Sequence, residues 1–441
     1  MTSEPPRHSH AETGRDRFGL RHACTTPASL DAFADATEGL AAYRTDTLPA
    51  VERALAADPS MLAARALKGL LLVLAARAEA QEAARGIARA LPMSAGTADE
   101  AALCAALAAG VARGPLTAAS VLDAHLARRP DLLLLVKLAT GLRFMGGDAA
   151  GMRAITEHVL PAWSPGQPGY AYVLGCHAFA LEETGDYAGA ERAGRIAAEL
   201  APHDAWAVHA VAHVYEMTHR PADGEAWIEA RRPGWRGCNN FAYHLSWHLA
   251  LFHLDQGRSA RVLDLYDSEI RPDRSEDTRD FANAVAMLWR LRQHGVDVGA
   301  RWAELAEIAR RRRDDTVLVF GALHRLLALL ADGDMAGARN VTAALAAAAC
   351  GSDEQAQVAA RVGAKLAAAL LASIEPGNSV SLGAMTDQLP LIGGSHAQRD
   401  LFVRSLALLA ERRGDRAALA DLLAARRRLK RDDRFLDLLA A

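Results

Sequence analysis

From Pro27 onward, apolar residues recur at helical spacing in segments separated by short breaks of Gly, Asp or Pro. No run alternates apolar and polar residues with the Val, Ile and Thr enrichment of a strand, so the pattern predicts helices throughout. The breaks are themselves periodic. A Gly followed by a polar residue recurs at Gly147, Gly185, Gly257, Gly333 and Gly414, at intervals of 38, 72, 76 and 81 residues. A Pro closes helical segments at Pro59, Pro130 and Pro202, at intervals of 71 and 72. Gly lets the chain reverse inside a helical hairpin, and Pro stops a helix because it cannot continue one. The expected fold class is all-α: an α-solenoid of stacked hairpins, none of which can bury its apolar face alone.

The spacing fits the tetratricopeptide pattern of about 34 residues per hairpin. Its clearest unit runs from Ala171 to Asp204, with Ala178 inside the first helix, the turn at Gly185 to Tyr187, Ala190 and Ala197 on the second helix, and Pro202 as the stop. A second unit, Leu133 to Pro161, is in step with it. The expected organisation is a flexible tail over residues 1–25 and a continuous repeat domain over 26–441. Arg220 to Asn240 reads as an insertion that interrupts the repeats. Gly351 to Glu354 and Glu375 to Asn378 read as loops, and Gly393-Gly394-Ser395 breaks the chain before a last helix pair.

Composition narrows the class. Hydrophobic residues make up 51% and aromatics only 5%, the apolar share being mostly Ala and Leu, which favour close-packed helices over a sandwich or barrel. With 50 basic and 53 acidic residues the net charge is -3, which offers no field for nucleic acid or an anionic membrane. The basic runs Arg310–Arg313 and Arg426–Arg431 are flanked by Asp and read as solvated helix ends. Five scattered cysteines without a Cys-x-x-Cys pair argue against a disulfide framework or a structural zinc site and fit a reducing, cytoplasmic setting. The longest apolar runs, Gly69–Ala76 and Leu132–Val136, fall far short of the ~20 residues that span a bilayer.

The candidate chemistry is concentrated in two His-x-x-x-His pairs, His209 with His213 and His244 with His248. Residues four apart share a helix face, so each pair points one way. In the register of the Ala171 unit, both pairs lie on the concave wall of the array, with Trp206 and Trp247 as aromatic neighbours and Lys137, Glu182 and Glu216 along the same wall. If Trp206 is instead the consensus aromatic of its helix, the histidines turn into the hairpin interior and are structural. Two His pairs on neighbouring helices can ligate a transition metal ion. The zincin pattern is absent, because Ala210 and Leu245 stand where its Glu would follow the first His. Without a metal, the same imidazoles suit acid–base work or recognition.

The stretch from Asp204 to Met217, the His244-Leu245-Ser246-Trp247-His248 motif, Leu265 to Asp267, Gly295 to Trp302 and Gly393 to Asp400 together resemble the tetratricopeptide repeat protein 38 family, over nearly the whole chain from about Ala23. The resemblance implies a helical repeat protein without membrane spans and brings no established reaction. One position departs from the family: Leu245 stands where Asn often follows the first His. The leading expectation is a scaffold whose groove, lined by His209, His213, His244, Trp247 and His248, holds a small polar molecule or a peptide segment. The alternative is an enzyme using the four histidines, with or without a metal, on a small substrate. Gln398, Arg399 and Asp400 reach that site only if the superhelix curls enough to bring its ends together. Homo-oligomerisation is left open.

Overall fold

The computed structural model describes residues 13–23, 26–92, 96–375, 382, 385–431 and 433–440. Their architecture is an all-α superhelix of hairpins. The two clearest units form as expected, the first from helices Leu133–Met145 and Ala149–Val159 and the second from Tyr170–Glu183 and Tyr187–Leu200. Next come Ala205–Met217 with Pro221–Ala230, Phe241–Asp255 with Ser259–Leu265, and Thr278–Gln293 with Arg301–Arg311. The first helices of successive hairpins pack on one another, Tyr170–Glu183 on Ala205–Met217, that on Phe241–Asp255, and that on Thr278–Gln293.

The Gly-Asp breaks work as a two-part turn. Gly147, Gly185, Gly333 and Gly414 take left-handed backbone angles after one helix. The Asp that follows each (Asp148, Asp186, Asp334 or Asp415) caps the next helix by accepting a backbone N–H. At Gly147 a side chain is also excluded by a distant segment, since a Cβ there would sit 1.8 Å from the Pro390 carbonyl oxygen.

Several expectations need correction. Within the span expected to be a flexible tail, Thr13–Arg15 and Arg21–Ala23 pair as an antiparallel hairpin. Its Arg21 and Ala23 amides donate to Asp99 and Glu100, and its buried His22 meets Asp16. Residues 1–12 and Cys24 lie outside the described residues, as does the loop read at Pro376 to Asn378. Arg220 to Asn240 is not an insertion. Pro221 opens the second helix of a hairpin at its N1 position, and Trp227, Ile228 and Trp235 are buried in the main core. The run Arg426–Arg431 is only partly solvated: Arg426 and Lys430 are 4% exposed, drawn inward by Asp400, Asp433 and Glu216.

The array closes on itself. Arg312 binds Glu79, Thr278 donates to the Ala76 carbonyl, and Glu354 accepts the Leu116 and Thr117 amides at the start of a helix. On the other side Asn239 donates to the Tyr43 carbonyl, and the final hairpin docks on earlier repeats through Arg399 and Lys430. Early and late repeats therefore meet across the inner face of the superhelix, leaving a cavity of about 320 Å³ at the seam between Val73, Gly110, Val317 and Ala348. No described helix is long and apolar enough to cross a membrane.

Candidate functional site

The repeat register brings the two His pairs together. His209 and His213 lie one turn apart on Ala205–Met217, and His244 and His248 occupy the same turns of Phe241–Asp255, 35 residues on. One ligating atom from each of the four falls within 4.8 Å of the others. His209 Nε2 lies 2.9 Å from His213 Nε2 and 3.0 Å from His244 Nε2, and the His248 ring is 4.5 Å from that of His213.

All four imidazoles are buried, none more than 4% exposed. Phe179 stacks on His209 and meets His213 edge-on. Trp206 and Phe241 flank His209, and Trp247 lies parallel to His244. This apolar jacket holds the imidazoles neutral. Burial pushes His213 and His244 down to about 3, and burial with the neighbouring imidazoles takes His209 and His248 well below the ordinary value.

Hydrogen bonding among neutral rings cannot satisfy this geometry. His244 Nδ1 faces the Asn283 Oδ1 acceptor at 3.0 Å, so its proton sits on Nδ1 and its Nε2 presents a lone pair. His213 Nδ1 lies 3.5 Å from Glu182 Oε2, too loosely placed to make a hydrogen bond there. One hydrogen on His209 Nε2 serves only one of the two. Both nitrogens of His248 and Nδ1 of His209 have no partner among the described residues. In a tetrahedral site with metal–nitrogen bonds of 2.0–2.1 Å the ligands stand about 3.3 Å apart, so the contacts of His209 with His213 and His244 would open by a few tenths of an ångström while His248 is drawn in.

The other candidate residues divide. Glu182 is fully buried beside His213, with both oxygens unpartnered. Arg399 comes within one residue of the cage by pairing with Glu183 at 2.9 Å, so the superhelix does curl enough. Glu183 is fully committed, also accepting the His396 amide at 2.7 Å. Trp206 is half-buried at the edge of the jacket and Trp247 is buried within it. The remaining candidates do not join the cage. Lys137 is buried over the Tyr43 and Trp206 rings, Glu216 pairs with Lys430, Asp400 pairs with Arg426, and Gln398 completes the capping box of Ser395. The expected groove wall is a closed interior, because Phe179, Phe241 and the returning C-terminal helix occupy the space in front of it.

Asn283, Phe179 and Glu183 were missed from the sequence. Asn283 was within reach, since the step of 35 residues that links His209 to His244 also runs from His213 to His248 and from His248 to Asn283.

No family model matches the chain. Among solved structures it is similar to the crystal structure of the P58(IPK) TPR domain, at 15% identity over 79% of this chain and 90% of that one. The TM-score is 0.22, too low to carry an argument, so the assignment as a tetratricopeptide-like helical-hairpin superhelix rests on the chain's own helix packing.

Proposed function

We propose that this chain is a helical-repeat metal-binding protein whose interior holds one first-row transition ion among His209, His213, His244 and His248. The carrying observation is four buried imidazoles converging within 4.8 Å, with ring nitrogens that find no partner among the described residues. An all-nitrogen donor set suits zinc, nickel, cobalt, copper or iron and not magnesium or calcium, which take oxygen ligands. Imidazoles held neutral far below pH 7 offer no proton competition to such an ion.

This reading displaces the open-groove scaffold, because the residues meant to line the groove have little solvent access. It also displaces metal-free acid–base catalysis. A base pushed down to about 3 is poorly matched to proton transfer near neutrality. An enzyme built on these histidines would therefore draw its chemistry from the ion, which polarises an oxygen or acidifies a bound water. The resemblance to the tetratricopeptide repeat protein 38 family favours neither role, since it brings no reaction.

The test is elemental analysis of tag-free protein, with His209→Ala/His244→Ala as the comparison. Close to one transition ion per chain is expected in the parent and none in the variant. Zinc added to stripped protein should stabilise it by about 4 kcal/mol at a thousand times the dissociation constant. A stripped parent whose unfolding ignores every first-row ion would reject the proposal.

A further inference from the structure

The cage itself carries no negative charge. Four neutral imidazoles around a divalent ion leave two positive charges in a buried site. Arg290 over the Trp247 ring and Arg279 over the Phe241 ring add to the positive field nearby. Within the protein, the group suited to compensate it is a carboxylate in contact with a ligand. Glu183 is held by Arg399 and His396, Glu216 by Lys430, and Asp280 by the Asn240 amide. Among the described residues, Glu182 is the one carboxylate whose two oxygens are both buried and unpartnered. It faces His213 Nδ1, which is also unpartnered, at 3.5 Å.

Building on the metal reading above, we propose that Glu182 is the charge-compensating positioning residue of the centre. In this role it accepts the His213 Nδ1–H, fixes Nε2 as the ligating atom and neutralises part of the ion's charge through the ring. Asn283 does the orienting half of the same task at His244, where its amide oxygen accepts the Nδ1–H at 3.0 Å but brings no charge. The cage thus has two outer acceptors, a carboxyl that the charge of a bound ion would ionise and a neutral amide. The Asn283 Nδ2 group is buried without a partner, so a carboxylate there would remove an unsatisfied donor and fit the same space.

This asymmetry allows the charge to be moved. Zinc affinity would be measured by competition with a chromophoric chelator for the parent, Glu182→Gln, Asn283→Asp and the double variant, each checked for parental helix content. Glu182→Gln keeps the acceptor and loses the charge, and is expected to weaken zinc by about 10- to 100-fold. Asn283→Asp is expected to tighten zinc by about tenfold or more, and the double variant to return to within about threefold of the parent. A purely structural Glu182 would show no such rescue. Glu182→Gln binding like the parent, or a double variant as weak as Glu182→Gln, would overturn the inference. If Glu182→Gln does not fold, Asn283→Asp alone decides, since unchanged affinity there rejects the charge argument. A parent that binds no zinc at all sinks the metal reading itself, an outcome distinct from a parent that binds and ignores residue 182.

Discussion

Acidification of metal-free protein should weaken the fold through the cage. Burial takes His213 and His244 from 6.5 down to about 3, whereas in the unfolded chain they titrate near 6.5. Below that point the unfolded chain binds protons that the folded one refuses, so stability falls as pH falls and levels off only near the folded values. At about pH 5 each of these two imidazoles costs about 2 kcal/mol relative to neutrality, and the pair about 4 kcal/mol. His209 and His248, also depressed, add in the same direction. Glu182 works against this trend. Burial raises its carboxyl, so its penalty grows as pH rises and relaxes on acidification. The imidazoles are isolated by subtracting a His213→Asn/His244→Asn variant from the parent, using urea midpoints of chelator-treated protein between about pH 7.5 and pH 5. The parent's advantage should shrink by about 4 kcal/mol over that range. A difference that stays flat would mean that the imidazoles take up protons in the folded state, and the reasoning from burial would be wrong.

Two further outcomes test the closure of the array. Gly147→Ala meets both a left-handed backbone and the Pro390 carbonyl, and should cost about 2–4 kcal/mol in chemical denaturation. Gly185→Ala has the same backbone hand but nothing within 4 Å, and should cost only about 1–2 kcal/mol, so equal losses would refute the contact. Arg399→Met strands the buried Glu183 carboxylate and should destabilise by about 3–5 kcal/mol, largely recovered when Glu183→Gln is added. Absence of recovery would assign the loss to packing.

The hairpin periodicity was legible because Gly, Asp and Pro act locally and the same turn recurs. The pairing of the histidines was legible for the same reason, as it needs only a four-residue and a 35-residue step. The sealing of the inner face was not. It depends on contacts such as Arg399 with Glu183, 216 residues apart, and nothing local distinguishes a buried Arg from a solvated one. The basic run at Arg426 was misread on the same ground, since its partners Asp400 and Asp433 become neighbours only after docking. Arg220 to Asn240 looked irregular because three glycines and two prolines mask a helix that starts on a proline.

The returning C-terminal helix also sets an order of events during synthesis. The last cage histidine, His248, leaves the ribosome 151 residues before Arg399. At ribosomal speed that interval lasts on the order of seven to thirty seconds. Throughout it, the repeats that hold the imidazoles can assemble while the helix His396–Arg412 that shuts the interior does not yet exist. On the metal reading proposed above, a nascent chain offers its nitrogens to cellular ions for seconds before that helix packs against the repeats. On that reading, loading during translation and slow exchange afterwards are the expected consequence of one helix's position in the reading order.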